Sequence, residues 1–195
     1  ALWLAFAVAH LSGNFLLFSG AERFNAYPEL LAKTGVLLWL AEAALVAFLA
    51  THVLAAVRVT KANRAARPIP YAVRANAGSS TFASRTMAIG GIVLLIFLVT
   101  HIYMFKFGDH AHTADGLWGL VRETFSRPLM VVWYLLAMVA FGLHASHGLS
   151  SAFQSTGLMP TAYRARIRVA GHVVGWAIAI GFMSFPIWAF VTRTN

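Results

Sequence analysis

Five apolar segments of transmembrane length divide this sequence, and they constrain its fold more than any other feature. They cover residues 1–18, 35–57, 86–105, 129–153 and 169–191. A helix rises about 1.5 Å per residue, so roughly 20 residues cross a hydrocarbon core about 30 Å thick. In lipid the backbone polar groups must be satisfied internally, and a single run of this length does so as a helix. The sequence therefore predicts an all-α integral membrane bundle of five transmembrane helices, forming a single domain over residues 1–195.

The composition agrees with a chain that has lipid around it. Hydrophobic residues make up 59% and charged residues 11%, whereas soluble domains have about 45–50% and about 25%. There is no cysteine, which excludes disulfides and iron–sulfur clusters carried on this chain. The net charge of +9 is interpreted as membrane topology and not as a nucleic-acid interface. The chain starts in apolar sequence at Ala1, so we expect a short leader to precede it.

The loop charges predict an orientation. The connections after the second and fourth segments are basic and contain no acid; they carry Arg58, Lys61, Arg64, Arg67, Arg74 and Arg85, then Arg164, Arg166 and Arg168. Both lie on one face, which the positive-inside rule makes cytoplasmic. We therefore expect a multi-pass protein with its N-terminus in the cytoplasm and its C-terminus outside. The mixed segment Ala21 to Lys33 is expected to be amphipathic and to lie on the outer surface.

Six histidines fall within the apolar segments, where a polar side chain needs a partner or a function. They are His10, His52, His101, His144, His147 and His172. Histidine is a common axial ligand of haem, and two histidines from facing helices can close such a site within a bundle. The sequence therefore predicts that four of them hold two b-type haems.

Depth in the membrane predicts how the histidines pair. His52 and His144 lie late in segments that run towards the cytoplasm, whereas His10 and His101 lie late in segments that run outwards. The expected pairs are His52 with His144 and His10 with His101, and two stacked haems would carry electrons between the faces.

These residues leave several roles open. His147 is one turn from His144, and His172 has similar depth, so either could replace His144 as a ligand or contact a haem propionate. Glu42 is the only acid in a span, and it could be a proton relay, a quinone-site acid or a hydrogen-bonded packing residue. The outer-loop pair His110 and His112 is expected to be solvated and not to bind a metal.

Four stretches resemble a known family in order along the chain. They are His10-Leu11-Ser12-Gly13-Asn14; Thr51-His52-Val53-Leu54 with Asn63-Arg64-Ala65-Ala66-Arg67-Pro68; Ala83-Ser84-Arg85-Thr86-Met87 with Gly90 and His101; and His144-Ala145-Ser146-His147-Gly148 with Ser151-Ala152-Phe153-Gln154-Ser155-Thr156-Gly157. Together they resemble the single-chain, two-haem cytochrome b anchor of succinate:quinone oxidoreductases and fumarate reductases, over all but the last span.

The resemblance implies a bacterial cytoplasmic-membrane subunit of a succinate dehydrogenase. It implies that His52 and His144 hold the inner haem, that His10 and His101 hold the outer one, and that Arg85, with help from His147 and His172, contacts a propionate or quinone. It also implies a flavoprotein partner with FAD, an iron–sulfur partner and menaquinone as the quinone. Some members carry a glutamate linked to proton transfer two residues before the fourth-span ligand, where this chain has Gly142.

Two other functions remain open. A di-haem anchor of a hydrogenase or formate dehydrogenase shares the bis-histidine arrangement, and co-purification with a succinate-oxidising flavoprotein would separate it. A haem-free transporter using histidines as proton relays would show no visible absorbance and would have paired helix interruptions, for which Gly90-Gly91 is one place.

Overall fold

A computed structural model describes residues 2–66, 82–155 and 161–193, and in these ranges the chain is helical without strands. The side chains at positions 82–85, 154–155 and 161 lie outside this description. The α-helices are α1 (Leu2–Asn14), α2 (Ala21–Ala32), α3 (Val36–Ala65), α4 (Phe82–Phe105), α5 (Gly116–Ser126), α6 (Pro128–Ser155) and α7 (Arg164–Val191). Short 3-10 turns cover Phe15–Ser19, His110–His112 and Thr161–Tyr163.

Five of these helical stretches are long and apolar enough to cross a bilayer, as the sequence predicts. They are Leu2–Ser19, Val36–Ala65, Thr86–Phe105, Pro128–Phe153 and Arg164–Val191. Two helices extend beyond the predicted apolar segments on the basic side, because hydropathy marks the lipid boundary whereas the helix continues through good helix formers such as alanine, arginine and lysine. The extra turns carry Arg58, Lys61 and Arg64 on α3 and Arg164 on α7. The orientation of the termini stays a prediction.

We call the end of the bundle where α3 begins and α4 ends the Lys106 end, and the opposite end the Arg58 end. α6 and α7 are antiparallel, since Gly171 lies beside Ser150 whereas Thr192 meets Arg122 of α5.

Small residues let α6 and α7 pack with their backbones close together. A Cβ added to Gly175 would lie 2.9 Å from the backbone nitrogen of Ser146, and one added to Gly171 would lie 3.1 Å from the Ser146 carbonyl oxygen. Ser146 is 1% exposed, and its hydroxyl donates back to the Gly142 carbonyl oxygen at 2.5 Å. This spacing of small residues is typical of helix pairs in membranes, where close packing and not hydrophobicity drives association.

The main cluster of buried side chains lies at the Lys106 end. It is formed by Leu17, Phe24, Val121, Phe125, Val131, Tyr134, Phe185 and Ala189. The predicted amphipathic segment is helix α2, which packs with α5 over this end: the amide of Asn25 accepts from the backbone N–H of Trp118 and donates to the carbonyl of Asp115. The Trp118 indole donates to Leu17 at 3.1 Å. These two short helices therefore close one end of the bundle.

Helix α3 stands apart from the other long helices. None of its residues is buried, and side chains such as Val36 and Trp39 are 73% and 70% exposed. At the Lys106 end, Glu42 forms an ion pair with Lys106, whose ammonium also lies 5.5 Å from the centre of the Trp39 ring. Further along, α3 approaches α6 through His52. Its apolar surface is therefore available to lipid and to any group held between α3 and its neighbours.

Candidate functional site

The structure brings together two pairs of histidines from facing helices. The ring centres of His52 on α3 and His144 on α6 are 6.0 Å apart, with the ring planes at 76°. The ring centres of His10 on α1 and His101 on α4 are 5.8 Å apart, with the planes at 84°. These are the pairs that membrane depth predicts from the sequence.

Each separation suits two imidazoles that share one metal ion. An imidazole nitrogen binds a metal at about 2.0–2.1 Å, and the ring centre lies roughly 1 Å behind that nitrogen. Two rings on opposite sides of one ion therefore have centres about 6 Å apart. A ring that binds a metal through one nitrogen can rotate about that bond, so the angles between the ring planes in both pairs are also compatible with a shared ion.

The two pairs lie at different depths in the bundle. Gly91 of α4 lies beside His144, since a Cβ added there would be 3.6 Å from its ring, and His101 follows ten residues later. On α6, Tyr134 contacts His101 and precedes His144 by the same ten residues. At about 1.5 Å per residue, both helices separate the pairs by roughly 15 Å, about half of the hydrocarbon thickness.

Tyr134 contacts the histidine pair nearer the Lys106 end, and it was not among the predicted site residues. The Nδ1 of His101 lies 3.2 Å from the Tyr134 hydroxyl, so that in the Nδ1–H tautomer the ring donates to the tyrosine oxygen. Tyr134 is 6% exposed and is held edge-on by Phe97 and Phe125. Metal-binding histidines usually make such a bond with their second nitrogen. A tyrosine within an apolar span also needs a partner, which was the available signal.

The pair nearer the Arg58 end contains an unsatisfied polar atom. The Nδ1 of His144 is buried and has no hydrogen-bond partner among the described residues. Leaving a buried polar atom unpaired costs about 1–3 kcal/mol. A bond from this nitrogen to a metal, or from its N–H to an acceptor, would remove that cost. His52, by contrast, is exposed and lines an open cleft with Leu2 and Phe48.

His147 and His172, which the sequence left as alternative ligands or propionate contacts, have other partners. The Nε2 of His147 lies 3.1 Å from the Ser151 hydroxyl on its own helix. The Nδ1 of His172 lies 2.8 Å from the Arg168 carbonyl, to which it donates. The ring that faces His52 is that of His144, so both stay candidates only for supporting contacts.

Three further positions of the sequence prediction stand differently in the structure: Arg85, Glu42 and Gly142. The side chain of Arg85 lies outside the described residues, so its propionate contact stays a prediction. Glu42 is ion-paired with Lys106, which gives it a role in holding α3 to the end of α4. At Gly142 an added Cβ would lie 2.9 Å from the ring of Trp176. That indole fills the space that a side chain at this position would need.

The histidines of the loop between α4 and α5, His110 and His112, form hydrogen bonds within the loop and to α5. His110 donates to the Phe105 carbonyl at 2.8 Å, and the carboxylate of Asp109 accepts from the backbone N–H of Ala111. His112 lies 2.7 Å from the carboxylate of Glu123 and also bonds to the Asp109 carbonyl. The hydrogen bond from His112 and its positive charge lower the pKa of Glu123, and the same bond raises the pKa of His112.

Comparison of the chain with protein-family models, with curated proteins and with solved structures gave no significant match.

Proposed function

We propose that this chain is the membrane-anchor cytochrome b subunit of a succinate:quinone oxidoreductase, located in a bacterial cytoplasmic membrane. One b-type haem would be held by His52 and His144, and a second by His10 and His101. The observation that carries the proposal is the pair of ring separations, 6.0 and 5.8 Å, each between histidines on different transmembrane helices. The resemblance of the histidine-bearing stretches supplies the kind of complex.

The residues present fit two haems in their chemistry. Each pair offers two imidazoles, which are the ligands of many b-type haems. One of the four, His144, has a buried nitrogen without a partner in the part of the chain that the structure describes. When bound, haem supplies one-electron redox chemistry. The chain itself orients His101 through Tyr134 and surrounds this pair with apolar rings, including Phe6 and Phe182 against His10. Such surroundings exclude water from the site.

We infer the roles of this chain and of its partner subunits from its lack of cysteine and from the position of its basic residues. Without cysteine it cannot ligate iron–sulfur clusters through thiolates, so the clusters and the FAD would belong to partner subunits. Those subunits would oxidise succinate and dock at the Arg58 end, where α3 carries Arg58, Lys61 and Arg64 beyond its apolar part. This chain, as the non-flavin part of the enzyme, would then relay electrons to a quinone. The resemblance favours menaquinone as that quinone.

The first experiment is haem quantitation per chain, combined with a reduced-minus-oxidised visible spectrum. Wild type should contain two b haems, and His52→Ala and His101→Ala should each retain one, because each substitution removes one axial ligand. His147→Ala is the matched control: it lies one turn from His144 and should retain both haems.

Each other outcome has a distinct meaning. A wild-type protein without haem would refute the proposal and favour a transporter with a histidine proton relay. Loss of one haem in His147→Ala would move the inner ligand one turn along α6. Two haems without co-purification of a succinate-oxidising flavoprotein would instead favour the anchor of a hydrogenase or formate dehydrogenase.

A further inference from the structure

Gly91 of α4 faces the edge of the His144 ring on α6. A Cβ added to Gly91 would lie 3.6 Å from Cε1 of His144, and no other described atom outside its own stretch of helix lies within 4 Å. Cε1 is bonded to both ring nitrogens. Because both nitrogens are more than 4 Å from the added Cβ, the glycine meets the ring at its edge and not on its face. This is the edge that carries the metal-binding nitrogens.

The packing of the described helices does not require a glycine at this position. At Gly142 and Gly175 an added Cβ would lie 2.9 and 2.8 Å from a side chain of the facing helix, so that a larger residue there would push α6 and α7 apart. At Gly91 the corresponding distance of 3.6 Å is an ordinary van der Waals contact. Alanine is also more favourable than glycine in the interior of a helix. The described residues therefore give no reason for the missing side chain.

The space beside this edge suits a group that is not part of the chain. His52 faces the same ring from α3, with the ring centres 6.0 Å apart, and the buried Nδ1 of His144 has no hydrogen-bond partner among the described residues. A metal ion on either nitrogen of His144 would lie roughly 5 Å from a Cβ at position 91. That separation leaves room for the ion alone. It does not leave room for a flat ring that extends sideways around the ion.

We infer that Gly91 is a specificity-determining residue of the site between His52 and His144, because its missing side chain admits the edge of a flat macrocycle around the metal. This inference rests on the proposed function, since the macrocycle would be the inner haem. It goes beyond the two ligands, because a site for a bare metal ion would accept a side chain at position 91. The outer site is too far away to depend on Gly91, which precedes His101 by ten residues, or about 15 Å along α4.

The test is haem retention in Gly91→Val, which fills the space with an apolar side chain. Ala88→Val is the matched control, since it adds the same residue at an exposed position one turn earlier on α4. Haem per chain, the reduced-minus-oxidised spectrum and haem transfer to an apo-globin would be measured on the full-length protein. Both substitutions would also be combined with His52→Ala, in which the inner haem should already be absent.

Gly91→Val should bind the inner haem about 5- to 150-fold more weakly, as expected for overpacking, and the haem that remains should have the spectrum of His52→Ala. Ala88→Val should retain both haems. Added to His52→Ala, Gly91→Val should change neither the remaining haem nor the midpoint of denaturant unfolding, because the space that it fills is then empty. A purely structural role for Gly91 would not show this dependence on His52.

Three results would overturn the inference in distinguishable ways. Two haems held as tightly by Gly91→Val as by wild type would show that the macrocycle does not reach position 91. Loss of a haem from Ala88→Val as well, or destabilisation of His52→Ala by Gly91→Val, would assign the effect to the packing of α4 and leave the two haems in place. Absence of haem from wild type would remove the proposed function itself, and this inference with it.

Discussion

Replacing Gly175 by alanine should separate α6 from α7, because the added methyl group has no space. Its carbon would lie 2.8 Å from the Ser146 hydroxyl oxygen and 2.9 Å from the Ser146 backbone nitrogen. Ordinary contacts begin at 3.4 Å, so the backbones must part by roughly half an ångström, and overpacking of this kind costs about 1–3 kcal/mol. Higher helix propensity of alanine returns at most about 1 kcal/mol.

Gly148→Ala isolates the effect of packing, because an added Cβ there meets nothing within 4 Å. Both substitutions gain the same propensity, so Gly175→Ala should be less stable than Gly148→Ala by about 1–3 kcal/mol, or about 5- to 150-fold in the unfolding equilibrium. Denaturant titration of the purified protein, followed by tryptophan fluorescence, measures the difference. Equal stability of Gly175→Ala and Gly148→Ala would contradict the close approach of the α6 and α7 backbones.

Two further predictions concern side-chain pairs. Tyr134→Phe removes the hydrogen bond to His101. If a haem is held by His10 and His101 as proposed, the variant should bind it about 10- to 100-fold more weakly, as measured by haem transfer to an apo-globin. Tyr103→Phe, at a side chain that is 73% exposed, is the control, and equal retention in both variants would contradict a positioning role for Tyr134. Glu123→Gln should lower the pKa of His112 towards its ordinary 6.5, measured by NMR titration. Attraction within this pair is full between about pH 4.5 and 6.5, the ordinary values; it is lost as the pH rises through the raised pKa of His112 or falls through the lowered pKa of Glu123. A His112 titration that is unchanged in Glu123→Gln would refute the pairing.

Features encoded locally could be predicted from the sequence, and those that depend on a neighbouring helix could not. Run lengths gave the five spans, and depth along each span gave the two histidine pairs without any tertiary information. Depth alone did not distinguish His144 from His147, because residues three apart differ by only about 4.5 Å along the helix axis and lie on neighbouring helix faces. The contact between Tyr134 and His101 was missed because it joins two different helices.

Gly142 is a second position at which the contact with a neighbouring helix could not be predicted from the sequence. The sequence identifies a position without a side chain, but only the packing of α7 shows that Trp176 occupies the space. The length of α3 beyond the apolar segment 35–57 could not be predicted either, since hydropathy gives no information on how far a helix continues once it leaves the lipid.

The exposure of α3 has a consequence for assembly. Helix α3 makes few close contacts with the other helices and therefore gains little packing energy from them; its described attachments are the Glu42–Lys106 ion pair and the approach of His52 to His144. Where a site forms only in the folded state, the free energy of ligand binding is also free energy of folding. A group bound between His52 and His144 would therefore act as the last structural element of the bundle, because it would fix α3 against α6.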